Sequence, residues 1–200
     1  MERTLFEEID KHLLQDDMPS IFLQSLLTQG KLNQPPFTVL LDLQKAEQSL
    51  KYHPEGNVWN HTMLVVDEAA KRKQNASDKR VFLWAALLHD IGKPSTTKNK
   101  KGKITSYDHD KIGSELVAEF FSYFNEDDEF VKAVSSLVRW HMQILFVVNR
   151  LPFAEIETMK KQAKIDEVAL LGTCDRLGRL GADKEKELEI IKQFLEKCKL

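Results

Sequence analysis

The run VFLWAALLHDIGKP, residues 81–94, decides the fold of this chain. Its first eight residues are apolar, so we predict a helix that is buried on most of its circumference. The helix ends in His89 and Asp90, after which Gly92 permits a sharp exit and Pro94 prevents continuation. A buried imidazole and a buried carboxylate must be satisfied by hydrogen bonds or by a metal ion. The doublet alone leaves these two alternatives equally open.

Helical periodicity also dominates the rest of the chain, which indicates an all-α fold. We predict helices over residues 2–15, 21–27, 57–73, 77–90, 111–124, 129–141, 166–177 and 183–197, with another after residue 152. Strand-like alternation is confined to Lys103–Tyr107, and the lysine-rich segment 95–106 is expected to be a loop. Pro35 and Pro36 must break any helix. They mark the expected boundary between an N-terminal helical extension, residues 1–36, and the main domain, residues 37–200.

Composition places the chain among compact proteins of the cytoplasm. A hydrophobic fraction of 42% and a charged fraction of 30% are typical of globular proteins. No apolar stretch is expected to reach the length of a bilayer span, and the acidic N-terminus does not resemble a secretion signal. Cys174 and Cys198 lack metal-type spacing and are expected to be free thiols. A net charge of −2 argues against extensive nucleic-acid binding and leaves a local basic patch open.

Four of the six histidines fall at predicted helix ends, and two of these are followed directly by aspartate. These four are His61, His89, His109 and His141. His12 and His53 are instead expected on the surface. Imidazole nitrogen together with carboxylate oxygen suits divalent zinc, manganese or iron. The pattern therefore favours a metal site over isolated core histidines.

Five short motifs, in this order, resemble the HD-domain phosphohydrolase superfamily. They are VWNHTMLVV (58–66), ALLHDIGKP (86–94), YDHDKIGSEL (107–116), VRWHM (138–142) and TCDRLGR (173–179). The resemblance covers about residues 50–180 and implies an HD-domain helical bundle. It implies one metal ion at His61, His89, Asp90 and Asp175. Members with two ions add two histidines, which match His109 and His141. The implied cofactor is one or two divalent ions: Mn, Fe, Ni, Co or Zn, with Mg also open.

The segments HPEGNVWNHTMLVVDEAA and FLWAALLHDIGKPSTT resemble the HD domain of bacterial tRNA nucleotidyltransferases. The first fifty residues lack a Gly-rich strand–turn with paired aspartates, so the expected relative is free-standing and polymerase activity is not implied. The resemblance implies hydrolysis of 2′,3′-cyclic phosphodiesters and nucleotide monophosphates by metal-activated hydroxide. The expected partner is a small nucleotide or an RNA end. A dinucleoside tetraphosphate hydrolase and a non-catalytic nucleotide- or metal-binding sensor are the alternatives.

The residues expected to act in catalysis are Asp90, Lys93, His109 and His141. Asp90 is the natural bridging ligand, and the two histidines either hold a second ion or donate a proton to the leaving group. Substrate phosphate is expected at Lys93, Arg176 and Arg179, although a solvated or structurally paired role is open for each. The lysine-rich segment 95–106 links two ligand-bearing helices and should lie beside the substrate.

Other residues near the candidate ligands have a less specific interpretation. Trp59, Tyr107 and Trp140 each lie within two residues of a candidate ligand. Core packing is favoured for these aromatic rings over stacking on a base. Asp67 lies on the predicted helix that carries His61 and is expected to be solvated, like most acidic side chains.

Overall fold

The computed structural model describes residues 2–199, which form a helical fold with one small sheet. The helices are α1 (Glu2–Gln15), α2 (Pro19–Thr28), α3 (Thr38–Leu41), α4 (Val58–Arg72), α5 (Lys79–Leu88), α6 (Lys93–Thr96), α7 (His109–Ser122), α8 (Asp128–Trp140), α9 (Gln143–Val148), α10 (Ile156–Gln162), α11 (Ile165–Leu177) and α12 (Lys184–Lys199). Short 3-10 turns cover Asp42–Lys45 and Lys73–Asn75, and the strands are β1 (Thr97–Lys100) and β2 (Lys103–Ser106). The predicted all-α fold class is confirmed.

Helix α5 is the central element, as its sequence predicted. Every residue from Val81 to Leu88 is buried, and α1, α4, α8 and α11 pack around the helix. The Asp78 side chain begins the helix by accepting hydrogen bonds from the amides of Arg80 and Val81. Regular helix ends at Leu88, so His89 and Asp90 lie in the turn that follows. The apolar helix thus delivers two polar side chains into the middle of the bundle.

Helices α1 and α2 belong to the same hydrophobic core as the rest of the chain. Phe6 of α1 stacks on Trp84 of α5 with ring centroids 5.0 Å apart. Asp10 of α1 accepts hydrogen bonds from Trp84 Nε1 and Arg80 Nε, both at 2.6 Å. The N-terminal helices are therefore held to α5 by apolar and polar contacts. The domain boundary at residue 36 stays a prediction.

Asp67 attaches α2 to α4, which corrects the expectation that it is solvated. Its side chain is buried, and its carboxylate accepts from the Ser20 amide at 3.1 Å and from the Ser20 hydroxyl at 2.7 Å. Met18, the residue that precedes α2, makes no side-chain cap. Asp67 therefore supplies from α4 the capping interaction that the sequence around α2 lacks.

The segment 95–106 was predicted as a loop, and most of that prediction is wrong. Its second half is extended as expected, but Thr97–Lys100 pairs with it as an antiparallel strand. Lys101 and Gly102 join the strands with φ values of 52° and 80°. Two left-handed residues form the tight hairpin turn that matches strand twist. The lysine-rich composition concealed this turn signal.

One stretch within residues 2–199, Asp128–Val148, is apolar and long enough to cross a membrane by length and composition alone. The expectation that no stretch reaches this length was too strong, because α8 and α9 follow each other across a short turn. Core helices pass the same test, and 44% of the apolar window is buried inside the protein. Val134, Leu137 and Val138 of α8 lie in the hydrophobic core. We therefore interpret this stretch as a core element.

We expect Asp67→Ala to lower the free energy of unfolding by about 1–3 kcal/mol, because two half-buried donors of Ser20 lose their acceptor. Urea unfolding followed by circular dichroism measures the change. Glu115→Ala, on the exposed face of α7, is the control and should stay within about 0.5 kcal/mol. Equal stability of the two variants would contradict the capping role of Asp67.

Candidate metal centre

Five segments of the fold bring the six predicted ligands together. His61 lies in the first turn of α4, His89 and Asp90 follow α5, His109 begins α7, His141 follows α8, and Asp175 lies on α11. All except Asp175 are buried, and the Asp175 side chain is 14% exposed. Ring centroids are 5.5 Å apart for His61 and His89, and 5.4 Å apart for His89 and His141. The structure thus places all six side chains in one cluster.

The Asp90 carboxylate lies between two sets of histidines. Its Oδ2 atom is 3.2 Å from His89 Nε2. Its Oδ1 atom is 3.4 Å from His109 Nε2 and 3.7 Å from His141 Nε2. Oδ2 therefore faces His89 and the Lys93 ammonium, whose Nζ is 2.6 Å away, whereas Oδ1 faces His109 and His141. This is the arrangement expected of a carboxylate shared by two ions.

Backbone carbonyls fix the orientation of three of the histidine rings. His89 Nδ1 donates to Ala86 O at 2.9 Å, His109 Nδ1 to Ser106 O at 2.6 Å, and His141 Nδ1 to Val138 O at 2.6 Å. A carbonyl oxygen only accepts, so each Nδ1 carries the ring proton. In the neutral ring, the Nε2 atom then presents a lone pair to the cluster.

The Nε2 lone pairs of these histidines point toward one another, and few hydrogen-bond donors lie near them. His109 Nε2 lies 3.2 Å from His141 Nε2. Both Asp90 oxygens and His89 Nε2 are buried without a hydrogen-bond partner among residues 2–199. Acceptors that face one another in a buried site are unfavourable unless a cation or a proton lies between them. The donor set therefore fits a divalent metal ion of the kind that nitrogen and oxygen ligands bind.

His61 and Asp175 form the other side of the cluster. His61 Nε2 is 3.0 Å from Asp175 Oδ1, and Arg179 Nη2 donates to both Asp175 oxygens at 3.2 Å. Burial alone would raise the pKa of the Asp175 carboxyl, but Arg179 and His61 hold that pKa well below its usual range. Asp175 is thereby kept anionic, which is the form that binds a metal ion.

The electrostatics of the remaining ligands also favour metal binding. Burial lowers the pKa of His141 to about 4, and it lowers the pKa of His109 as well. Burial would raise the pKa of Asp90, but the charges of His89 and Lys93 outweigh it and hold that pKa well below its usual range. At neutral pH His109 and His141 are accordingly neutral imidazoles beside an anionic Asp90, the protonation states that ligation needs. His61 differs, because its hydrogen bonds to Asp175 and Glu55 outweigh burial and raise its pKa.

Two residues behind His61 were not identified from the sequence. Glu55 Oε1 accepts from His61 Nδ1 and from His53 Nδ1, both at 2.9 Å, and Glu55 Oε2 accepts from the Leu180 amide at 3.2 Å. His53 was expected on the surface, but its side chain is only 15% exposed and its ring lies 4.8 Å from that of His61. Glu55 precedes the helix and has no helical spacing to His61, so periodicity gave no signal for it.

The three basic residues predicted to bind substrate have different partners. Lys93 Nζ lies 2.6 Å from Asp90 Oδ2, outside hydrogen-bond geometry, and donates to Gln48 Oε1 at 2.8 Å. Arg179 holds Asp175, and Arg176 pairs with Glu187 of α12. Lys93 and Arg179 therefore contact candidate ligands, whereas the ion pair of Arg176 is with α12. Their roles toward a substrate stay predictions.

The aromatic residues near the ligands divide as the sequence suggested, with one exception. Trp59 and Trp140 are buried in the core, and their indole Nε1 atoms donate to Gln24 and Gln162. Tyr107 is instead 68% exposed, at the end of the hairpin next to His109. Tyr107 is therefore the one of the three that is accessible from solution.

A close backbone contact sets the position of Asp90 relative to α7. A Cβ atom added at Gly92 would lie 2.1 Å from His109 O and 2.7 Å from Gly113 N. Only glycine lets the turn after α5 approach the start of α7 this closely. Gly92 therefore helps to bring the His89–Asp90 doublet against His109.

The segments that carry the candidate ligands also match a known protein family. The sequence model of the HD domain family matches residues 58–192, which is more than half of the chain and contains all six candidate ligands. The chain belongs to the HD domain family. This family lies in a superfamily of metal-dependent phosphohydrolases, so the resemblance found in the five motifs is confirmed.

Curated relatives of this HD domain carry the name Multifunctional CCA protein. The one from Mannheimia succiniciproducens is 27% identical over 187 residues, which cover 90% of this chain and 44% of the relative. The one from Pasteurella multocida is 38% identical over 107 residues, which cover 53% of this chain and 24% of the relative. The predicted resemblance to the HD domain of tRNA nucleotidyltransferases is confirmed at modest identity. The chain spans less than half the length of these relatives.

We expect Glu55→Ala to weaken metal binding by about 10- to 100-fold, the usual effect of removing a partner that orients a ligating histidine. Glu55→Gln keeps an acceptor oxygen for His61 and should weaken binding less. Titration of the metal-free protein with Co²⁺, followed by its visible absorption, measures both. Glu47→Ala, an exposed residue of the same segment, is the control, and an equal affinity of the Glu47 and Glu55 alanine variants would refute the role.

We also expect Gly92→Ala to destabilise the protein by at least the roughly 1–3 kcal/mol of an overpacked core, because the new methyl group meets backbone atoms that cannot rotate away. Gly113→Ala is the matched control. Its Cβ would lie 3.2 Å from a methyl group of Val138, a contact that a shift of a few tenths of an ångström in that side chain relieves. Thermal unfolding compares the two, and a smaller loss at Gly92 than at Gly113 would contradict the close-contact argument.

Proposed function

We propose that this HD domain is a phosphohydrolase that cleaves nucleotide phosphoesters, with 2′,3′-cyclic phosphodiesters and nucleotide monophosphates as its substrates. The observation that carries the proposal is the shared carboxylate of Asp90. Its buried Oδ2 faces His89 Nε2, its buried Oδ1 faces His109 Nε2 and His141 Nε2, and both oxygens lack hydrogen bonds among the described residues.

The ligands divide into two overlapping sets. His61, His89, Asp90 and Asp175 would hold one divalent ion, and Asp90, His109 and His141 would hold a second. Within the part of the chain that the structure describes, two fully buried clusters have ligand atoms close enough together to hold an ion, and Asp90 belongs to both. One contains His61 and His89, and the other contains His109 and His141. A bound divalent ion lowers the pKa of water and stabilises negative charge on phosphoryl oxygens.

The protonation state of His141 favours the ligand role over proton donation. Its Nδ1 proton is held by Val138 O, and burial keeps its pKa at about 4. A neutral imidazole whose only proton is bound to the backbone is a poor general acid at pH 7. His109 has the same backbone arrangement through Ser106 O. We therefore assign both histidines to the second ligand set.

Lys93 and Arg179 are the residues that we assign to substrate phosphate. The Lys93 ammonium donates one hydrogen bond, to Gln48, and lies close to Asp90 outside hydrogen-bond geometry, so N–H groups remain for a phosphoryl oxygen. Arg179 holds Asp175 through Nη2, while its buried Nε–H has no partner within residues 2–199. An oxygen of a bound phosphate would satisfy that donor. Arg176 is already paired with Glu187 and is the weaker candidate.

The experiment that tests the proposal combines metal analysis with hydrolysis of bis(p-nitrophenyl) phosphate and p-nitrophenyl phosphate in added Mn²⁺, Ni²⁺ or Co²⁺. We expect His89→Ala and Asp90→Ala to lose bound metal and to lower the rate by more than about 100-fold, a larger effect than loss of a residue behind a ligand. His12→Ala is the control, because His12 pairs with Asp16 on the surface of α1.

A substrate screen separates the proposal from its alternatives. It compares 2′,3′-cyclic nucleotides, 2′- and 5′-nucleotides and dinucleoside tetraphosphates. Preferential cleavage of the tetraphosphates would assign the other hydrolase activity. Metal binding without turnover of any phosphoester would indicate a sensor. A protein that binds no metal, together with full stability of Asp90→Ala, would refute the metal centre itself.

A further inference from the structure

The hairpin of β1 and β2 concentrates positive charge on one face. Lys98 and Lys100 alternate with Thr97 and Asn99, so they share a face of β1. Lys100 pairs directly with Lys103, which places Lys103 on that same face. All three side chains are exposed. We call the side formed by Lys98, Lys100 and Lys103 the lysine face.

This arrangement is unfavourable for the hairpin alone. Like charges directly opposite each other across two strands are destabilising. Residues 97–106 contain no aspartate or glutamate, and no ion pair to the lysine face is found across residues 2–199. The nearest carboxylates along the chain, Asp108 and Asp110, pair with Lys111 and Arg139. An external anion would therefore relieve a repulsion that the fold leaves in place.

The hairpin is joined to the metal centre at its base. Ser106, the last residue of β2, accepts the hydrogen bond from His109 Nδ1 at 2.6 Å. On the other side, Lys93 begins α6, which leads directly into β1. The three steps from Thr97 to Lys100 extend about 10 Å at the rise of a β-strand. The lysine face thus begins beside the centre and extends away from it.

Tyr107 adds an exposed aromatic ring between the lysine face and His109. The side chain is 68% exposed and follows the last residue of β2. Lysines that follow a phosphate chain, together with an aromatic side chain on which a base stacks, are the usual means of binding single-stranded nucleic acid. We propose that the lysine face and Tyr107 bind the phosphodiester backbone and a base of a single-stranded RNA whose terminal phosphoester occupies the metal centre. This inference rests on the proposed function.

The reach of the hairpin favours a chain over a single nucleotide. A mononucleotide held by the ligands through its phosphate has no further charge to contact Lys100 and Lys103, which lie about 10 Å along the strands beyond Thr97. Successive phosphates of an RNA strand supply those charges. Within residues 97–106 the hairpin has no exposed large apolar residue, since Ile104 is half-buried. The one exposed ring beside it is that of Tyr107, so the hairpin presents no apolar patch for insertion into a lipid surface. The net charge of −2 is compatible with such a local surface.

The test measures binding of a fluorescein-labelled single-stranded RNA by anisotropy to the metal-loaded full chain. The variant is Lys98→Gln, Lys100→Gln and Lys103→Gln together. The matched control carries Lys31→Gln, Lys79→Gln and Lys132→Gln, which removes the same charge from exposed positions. Lys79 begins α5, at the end opposite to His89, and Lys132 lies in the second turn of α8, whereas His141 follows the last turn of that helix.

We expect the hairpin variant to bind RNA about 10- to 100-fold more weakly at low salt. The slope of log K against log salt should become shallower by about 2, because each of the three lost phosphate contacts contributes about 0.7. Its melting temperature should be unchanged or higher, because the repulsion between Lys100 and Lys103 is gone. Tyr107→Ala should also weaken RNA binding, whereas Tyr107→Phe should retain it.

Hydrolysis of bis(p-nitrophenyl) phosphate separates failure of this inference from failure of the proposed function. Turnover of that small substrate by the wild type, with equal RNA binding by the two lysine variants, would overturn the hairpin surface and leave the hydrolase intact. The hairpin surface would also be overturned if the hairpin variant lost affinity for a dinucleoside tetraphosphate as strongly as for RNA. Binding of phosphatidylserine vesicles in place of RNA would overturn it as well. Absence of turnover by the wild type would refute the hydrolase, while a selective RNA-binding defect would still support the surface.

Discussion

The burial of the Asp90 carboxylate among imidazole nitrogens is the constraint on which the rest of the structure depends. An apolar helix carries this carboxylate to the middle of the bundle, where water cannot solvate it. A buried anion is tolerated only when cations or hydrogen-bond donors surround it. The chain places the Lys93 ammonium and three histidines there. The surrounding helices are therefore arranged by the needs of one side chain as much as by apolar packing.

The backbone contributes as much to the centre as the side chains do. Three carbonyls, each three residues before its histidine, hold the Nδ1 protons and direct the Nε2 atoms inward. Rotation of any of these rings would break a buried hydrogen bond, which costs about 1–3 kcal/mol. The close contact at Gly92 then fixes the turn after α5 against the start of α7. The ligand geometry is consequently set at the ends of helices, by these carbonyl hydrogen bonds and by the close contact at Gly92.

The features that could be predicted from the sequence are those encoded in short, contiguous patterns. The eight apolar residues before His89 predicted a buried helix without any comparison. The motifs around His61, His109 and Asp175 could be assigned to one site only through their resemblance to a known family. Glu55 and His53 could not be found in this way, because their roles depend on how a loop folds back behind α4. Asp67 was missed for a similar reason, since its partner Ser20 lies 47 residues away in the sequence. Contacts between distant segments leave no periodic signal.

The side of the centre with His61 and Asp175 differs from the side with His109 and His141 in the groups that hydrogen-bond to the histidine rings. Glu55, a carboxylate, supports His61, whereas neutral carbonyls support His109 and His141. A carboxylate behind the ring raises the basicity of the ligating nitrogen more than a carbonyl does, because it stabilises the positive charge that ligation draws onto the ring. Asp175 adds a second anion on that side, whereas His109 and His141 share only Asp90. The side that contains His61 accordingly carries two carboxylates besides Asp90, and the Arg179 guanidinium offsets the charge of one of them, Asp175. The side that contains His109 adjoins the lysine-rich hairpin through Ser106, so the side of the centre with the single carboxylate lies next to the positively charged strands.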